Sequence, residues 1–349
     1  MDEGVLDWSV ENLSPMDSCV GCRACETACP SGVKYGEILE LVRSQFLKQG
    51  DGKRGLRQLL WVMSDPLALR AQLWLSQVFG MARMPRVFGK LFSSDPQEAD
   101  IPSLPEFCGW PPLEDHGLPP IKGEVALLEG CAMSVLYPDV HEATIRLLRR
   151  VGYRAVRVKG CCGALHAHNG LLQEAHQKVK QITNSVPTEM PIVANSAGCG
   201  GWLKETGPQT FDASEFLFDN GLLELLRASP GLNATLAYHE ACHLAHGQKI
   251  KEQPRLLLQA IPGLRMIELN EAEMCCGSGG VYNLLQPRLA RKMLNRKWSN
   301  IADTGANIVA TGNPGCHAWI AQAATENGGN VQVLHTISLL EASFLGCLP

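Results

Sequence analysis

The chain has 349 residues, 45% of them hydrophobic and 19% charged, and a formal net charge of −4. That balance suits a soluble globular protein of two or three domains and argues against nucleic acid as a partner. Its fourteen cysteines, in a chain that opens on acidic and polar residues rather than a secretory leader, point to a reducing, cytoplasmic setting and to metal rather than disulfides.

Residues 1 to 18 carry little information beyond a turn at Ser14-Pro15. Cys19 to Pro30, CVGCRACETACP, follows the C-x₂-C-x₂-C-x₃-C-P spacing of a ferredoxin-type iron–sulfur site. Cys19, Cys22 and Cys25 are spaced to wrap three corners of a cluster. Cys29 opens the next helix and, in two-cluster ferredoxins, its counterpart serves the other cluster. A zinc knuckle is the competing reading. A helix is expected from Tyr35 to about Lys48, with Ile38, Leu41, Val42 and Phe46 at helical spacing and Gly50, Asp51 and Gly52 ending it.

Residues 56 to 92 are apolar and basic. Arg57, Arg70, Arg83, Arg86 and Lys90 face one acid, Asp65, with Trp61, Trp74, Phe79, Phe88 and Phe92 between them. Pro66 and Pro85 divide the stretch into about three helical pieces. Two readings stay open: a helical subdomain packed over the cluster, or a surface for anionic lipid or a membrane partner. No apolar run nears the roughly 20 residues that span a bilayer. Residues 93 to 120, rich in proline, read as an extended linker containing Cys108.

From Ile121 the chain is a tandem duplication. Cys131 answers Cys242 at an offset of 111, Cys161-Cys162-Gly163 answers Cys275-Cys276-Gly277 at 114, and Cys199 answers Cys316 at 117. The first copy reads as strand Glu124 to Leu128, helix His141 to Val151, strand Arg154 to Val158, helix Asn169 to about Ile182, and strand Ile192 to Ala194. The second reads as strand Leu236 to Tyr238, strand Arg265 to Leu269, helix Tyr282 to Trp298, and strand Ile308 to Thr311. Alternating strands and helices predict α/β domains with parallel sheets. Each cysteine then falls just past a strand's carboxyl end, where such sheets place ligands.

Each copy thus offers four thiols to a metal: Cys131, Cys161, Cys162 and Cys199, then Cys242, Cys275, Cys276 and Cys316. Four thiolates suit an iron–sulfur cluster or closed zinc. Adjacent cysteines favour a cluster, which offers two different irons, over one tetrahedral ion. A buried cysteine layer without metal is the third reading. His166, His168, His239, His243, His246 and His317 crowd the same loops, with His166 and His243 the first choices for a ligand or proton relay. Cys108 and Cys347 read as ordinary thiols. No phosphate-binding loop, nucleophile elbow or dinucleotide fingerprint is present.

The runs CRACETACPSGVKYG, GCCGALHAHNG, NSAGCGGWLKE, YHEACHL, CCGSGGVYNL and TGNPGC together resemble the iron–sulfur subunit of glycolate oxidase (glycolate dehydrogenase). The wider group has duplicated Cys-Cys-Gly (CCG) domains and serves heterodisulfide reductase, lactate utilisation and anaerobic glycerol-3-phosphate dehydrogenase. The resemblance implies an N-terminal α-helical ferredoxin-like part (1–50), a helical region and linker (51–120), and two tandem α/β cysteine-rich domains (121–230 and 231–349). It implies a [4Fe–4S] cluster at Cys19, Cys22, Cys25 and Cys29, with further iron–sulfur or zinc in the CCG domains. It implies a flavin-free subunit of an oxidoreductase, not catalytic alone. Electrons would come from FAD-containing glycolate oxidase subunits and go to a quinone at the cytoplasmic face of the membrane. Two departures stand out. The family usually has two ferredoxin motifs and this chain shows one, as a fragment or a late-start gene model would, which leaves Cys29 without a second cluster. The relatives that act on heterodisulfides end each repeat in C-x-x-C, whereas Trp202 and Trp319 stand at those positions here.

Overall fold

The computed structural model describes residues 15–48, 55–78, 109–114 and 116–349. Cys108, the third helical piece expected near residues 86 to 92 and most of the proline-rich linker lie outside them.

Two four-stranded, all-parallel sheets form the body of the molecule. The first contains β1 (Gly123–Leu128), β2 (Tyr153–Val158), β3 (Ile192–Ala194) and β4 (Thr210–Asp212), in the order β2-β1-β3-β4. The second contains β5 (Ala234–Tyr238), β6 (Leu264–Ile267), β7 (Ile308–Thr311) and β8 (Gln332–His335), in the order β6-β5-β7-β8. The duplication seen in the cysteine offsets is therefore a duplication of topology. The central strands are continuous apolar runs, as expected of strands covered on both faces.

Two strands have no counterpart in the sequence reading. β4 is Thr-Phe-Asp and β8 is Gln-Val-Leu-His. Each is an edge strand too short to show alternation. Each ends in a polar cap for the next helix: Asp212 forms a capping box with Glu215, and His335 Nδ1 accepts from the Ile337 amide at 3.2 Å. The expected helix Tyr282 to Trp298 is two helices, Tyr282–Leu285 and Pro287–Thr304, because Pro287 starts a new helix at its N1 position.

The copies pack as one body. The largest core cluster takes residues from both, including Leu147 and Leu217 from the first and Leu236, Leu258 and Leu340 from the second. Helix α6 (Pro138–Arg150) lies against α16 (Thr336–Leu345). There the fully buried Glu341 accepts from Arg146 at 2.6 Å and from Arg150 at 2.9 Å. Equivalent loops also meet: the Ala197 amide donates to the Gly312 carbonyl at 3.1 Å, and the Gly198 amide to Asn313 at 3.3 Å.

The N-terminal part sits over the seam between the copies. It comprises α1 (Ala24–Ala28), α2 (Tyr35–Lys48), α3 (Leu56–Ser64) and α4 (Pro66–Val78). Leu56, Leu59 and Leu60 of α3 are buried against Leu171 of the first copy and Val281 and Leu285 of the second. This is the packing that the helical-subdomain reading gave residues 56 to 92, of which 56 to 78 are described. The outer side nevertheless leaves Trp61, Leu67 and Trp74 exposed. Among the described residues no helix is long and apolar enough to cross a membrane.

Candidate metal centres

In each copy the strands deliver their cysteines to helix N-termini. Cys131 follows β1 and caps α5 (Ala132–Leu136). Cys161 and Cys162 follow β2 and precede α7 (Ala164–Ala167). Cys199 lies in the first turn of α9 (Ala197–Thr206). In the second copy Cys242 caps a π-helix (His243–Gly247), Cys275 and Cys276 follow β6, and Cys316 lies in the first turn of α15 (Pro314–Glu326). Free amides and positive dipole ends at such positions favour thiolate. The Ala164 amide donates to Cys162 Sγ and the Gly277 amide to Cys275 Sγ, both at 3.4 Å.

The glycine of each Cys-Cys-Gly is needed on two counts. Gly163 has φ of 89° and Gly277 of 91°, the left-handed region. A Cβ on Gly163 would stand 2.7 Å from the Ala175 carbonyl, and one on Gly277 would stand 2.5 Å from that of Ala290. The turn that aims both thiols therefore depends on a residue without a side chain.

The four sulfurs of each copy converge. Contact with Cys131, then with Cys162, pulls the Cys161 pKa down. The same contact with Cys161, together with burial, pushes Cys131 and Cys162 up, and contact with Cys162 pulls Cys199 down. In the second copy Cys242 Sγ lies 3.9 Å from Cys275 Sγ. Contact with Cys275 raises Cys242. Cys242 pulls Cys275 down, but Cys276 and burial outweigh it; Cys275 similarly pulls Cys276 down, but Cys316 and burial outweigh that. All four are buried. A metal bound to such a layer of buried thiols would displace their protons.

Both sets line one cavity of about 360 Å³. Its other walls are Val20, Gly21 and Arg23 of the ferredoxin-type loop and apolar residues of α2 to α4, among them Leu39, Leu59 and Leu69. The expectation that each set gathers at one sheet edge is met, and the two edges face each other.

The N-terminal motif docks onto this cavity. The Gly21 carbonyl lies 3.1 Å from His243 Nε2, Tyr282 donates to the Ser18 carbonyl at 2.7 Å, and Arg43 bonds the Cys19 carbonyl and, at 2.6 Å, that of His168. Burial raises the Cys22 thiol, and the neighbouring Cys242, Cys19 and Cys25 add to the shift. The structure thus brings Cys19, Cys22 and Cys25 together, beside the second copy's set. Cys29 answers instead to the backbone amides of Val33, Ser31 and Gly32, which lower its pKa.

Several residues that the sequence reading passed over are built into the site. Arg23, buried and in the left-handed region, pairs with Glu205 of the first copy, Nη2 to Oε2 at 2.9 Å. Glu40 lies 2.8 Å from His168 Nδ1, and burial raises its carboxyl to about 7. Lys297 is fully buried without a carboxylate partner among its bonds. Its Nζ donates to the Glu271 carbonyl and, at 3.2 Å, to that of Ala272. Burial pushes its pKa down, while Cys276, Cys316 and Cys275 pull it back. The signal was present: Ala290, Leu294, Lys297 and Ile301 form one apolar stripe that a lysine interrupts. Of the two histidines singled out, burial lowers both, His243 to about 3. His243 Nε2 is spent on Gly21, whereas buried Nδ1 of His166 has no partner.

The residues fit an iron–sulfur group. Each copy aims four sulfurs at one space, with amide donors to sulfur and a lysine near the thiols: Lys178 lowers Cys161, and Cys276, Cys316 and Cys275 act to raise Lys297. Hydrogen bonds and charge of this kind set cluster potentials.

Comparisons agree with this architecture. A family model described as "Cysteine-rich domain" (CCG) matches residues 125–204 and 236–321, the two copies. The chain is 31% identical to the "Glycolate oxidase iron-sulfur subunit" of Escherichia coli, over 93% of this chain and 81% of that one. It is 29% identical to the "Probable glycolate oxidase iron-sulfur subunit" of Bacillus subtilis, over 97% and 84%. It is 27% identical to a lactate utilization protein of Oceanobacillus iheyensis, over 62% and 96%. With duplicated α/β domains, paired cysteine sets and this extent of similarity, the chain belongs to the family of glycolate oxidase iron–sulfur subunits.

Proposed function

We propose that this chain is the electron-relay subunit of a glycolate-oxidising complex. It takes electrons from FAD-containing subunits that convert glycolate to glyoxylate and passes them towards a quinone. The observation that carries this reading is the convergence of both cysteine sets, and of the loop holding Cys19, Cys22 and Cys25, on one cavity. On this reading Cys19, Cys22 and Cys25 hold a [4Fe–4S] cluster with Cys29 as the fourth ligand the motif supplies. Cys131, Cys161, Cys162 and Cys199 hold a second metal group, and Cys242, Cys275, Cys276 and Cys316 a third. Bound iron–sulfur supplies one-electron transfer without proton or atom transfer.

The chain's own residues do the rest. Arg23, Arg43 and Tyr282 fix the ferredoxin-type loop against the copies, so the relay geometry does not depend on a mobile segment. The apolar faces of α2 to α4 wall the cavity on that side. Glu40, with its pKa near neutrality, and His168 hold an exchangeable proton at the cavity wall, as reduction of a quinone requires. Exposed Trp61, Leu67 and Trp74 offer a peripheral attachment at the cytoplasmic membrane face. The division at about residues 50, 120 and 230 belongs to the same reading.

The test is reconstitution. The holoprotein is mixed with a glycolate-oxidising flavoprotein, glycolate and a water-soluble quinone under argon. Glycolate-dependent reduction of the iron–sulfur signals, followed by quinone reduction that needs this chain, is expected. Reduction driven instead by lactate, glycerol 3-phosphate or a disulfide couple assigns the relay to another substrate. No change in any signal identifies a scaffold without redox role.

A further inference from the structure

The two cysteine sets are not chemically equivalent. At the end of β5, His239 occupies the position that Leu128 occupies at the end of β1, 111 residues earlier, in register with the Cys131 and Cys242 pair. His239 is fully buried, and its ring, Cys276 Sγ and Cys316 Sγ offer ligand atoms that all lie within 4.8 Å of one another.

Neither ring nitrogen of His239 makes a hydrogen bond of normal geometry. The Ala272 carbonyl lies near the ring, but only as a weak influence on its pKa, which burial drives well down. A buried imidazole with both nitrogens unspent costs free energy, because each ring nitrogen has given up its bonds to water and gained none in the protein. A neutral imidazole is also the form that ligates metal, commonly with its second N–H turned to a backbone carbonyl. Ala272 supplies such a carbonyl.

We propose that His239 is a metal ligand of the second cysteine set, so that this copy holds a mixed imidazole–thiolate centre and the first a centre without this ligand. The buried Lys297 side chain lies beside the same sulfurs. Where His239 stands on iron in place of one of the four thiolates, the centre carries one negative charge fewer and its reduction potential rises, which makes the second centre the higher-potential one. The inference rests on the iron–sulfur reading for its electronic consequence but not for the ligand itself.

The full chain, labelled with ¹⁵N-histidine and reconstituted with iron and sulfide, is reduced stepwise and examined by pulsed EPR. A histidine nitrogen coupling is expected on one centre. It should vanish in His239→Leu and leave the other centre's signal unchanged, and His239→Cys should keep the centre but lower its potential. Cluster signals without histidine coupling in the wild type overturn the proposal without recourse to a variant, as does coupling that survives His239→Leu. If no cluster forms, the iron–sulfur reading itself fails. The ligand is then read by cobalt(II) titration of the apoprotein. A loss of affinity of at least about tenfold in His239→Leu supports it, and unchanged affinity overturns it.

Discussion

His335 shows what a single buried residue contributes. Its Nδ1 caps α16 and its ring is 3% exposed. Burial, with His317 nearby, lowers its pKa to about 3. The unfolded chain binds a proton at this position below the ordinary histidine value of about 6.5, and the folded chain does not until about 3. The stability it contributes is therefore present above pH 6.5 and is lost as the pH falls through the window between these values. At pH 5 the loss is about 2 kcal/mol. His335→Asn keeps a cap and removes the titration. Urea denaturation at pH 7 and pH 5 should show the variant losing about 2 kcal/mol less than the wild type; an identical loss in both would contradict this. The candidate ligand cysteines were legible because their spacing is a covalent fact of the chain. Lys297 was not singled out, and His239 was one of six candidate histidines rather than a first choice, because burial without a partner is a property of the packed state. A lysine in an apolar stripe and a histidine at a strand end each occur often without function.

At the scale of elements, α6 and α16 join the copies through Glu341. It is fully buried between Arg146 and Arg150, and Arg146 also donates to the Pro111 carbonyl at 2.5 Å. Breaking a buried pair by removing one partner leaves uncompensated charge and costs about 3–5 kcal/mol. Glu341→Gln should destabilise the chain by that amount in equilibrium denaturation. Combining Glu341→Met with Arg146→Leu and Arg150→Leu should recover most of it. A loss below about 1 kcal/mol for Glu341→Gln would place the pair among those of little consequence. Most strands were readable as apolar runs between turn residues. β3 and β7 fall where the sequence puts them. β4 and β8 escaped because three or four edge residues carry no periodicity. The helix Asn169 to Ile182 begins later, at Leu172, because Gly170 adopts a φ of 83°.

At the scale of the whole molecule, the duplication was plain from the offsets of 111, 114 and 117. The shared cavity was not. A repeat says that two domains are alike, but their mutual placement depends on the packing of α6 on α16 and on loops such as Ala197 against Gly312. That packing turns the two cysteine layers towards each other and leaves the seam for the N-terminal motif to cover. The central claim is that this arrangement holds several iron–sulfur groups rather than one. It is tested most directly by iron, acid-labile sulfide and zinc per chain in full-length protein purified under argon. We predict iron and sulfide in nearly equal amounts, clearly above the roughly four of each that one [4Fe–4S] cluster contains, with no stoichiometric zinc. About four irons per chain, or zinc in place of iron in the two copies, would contradict it.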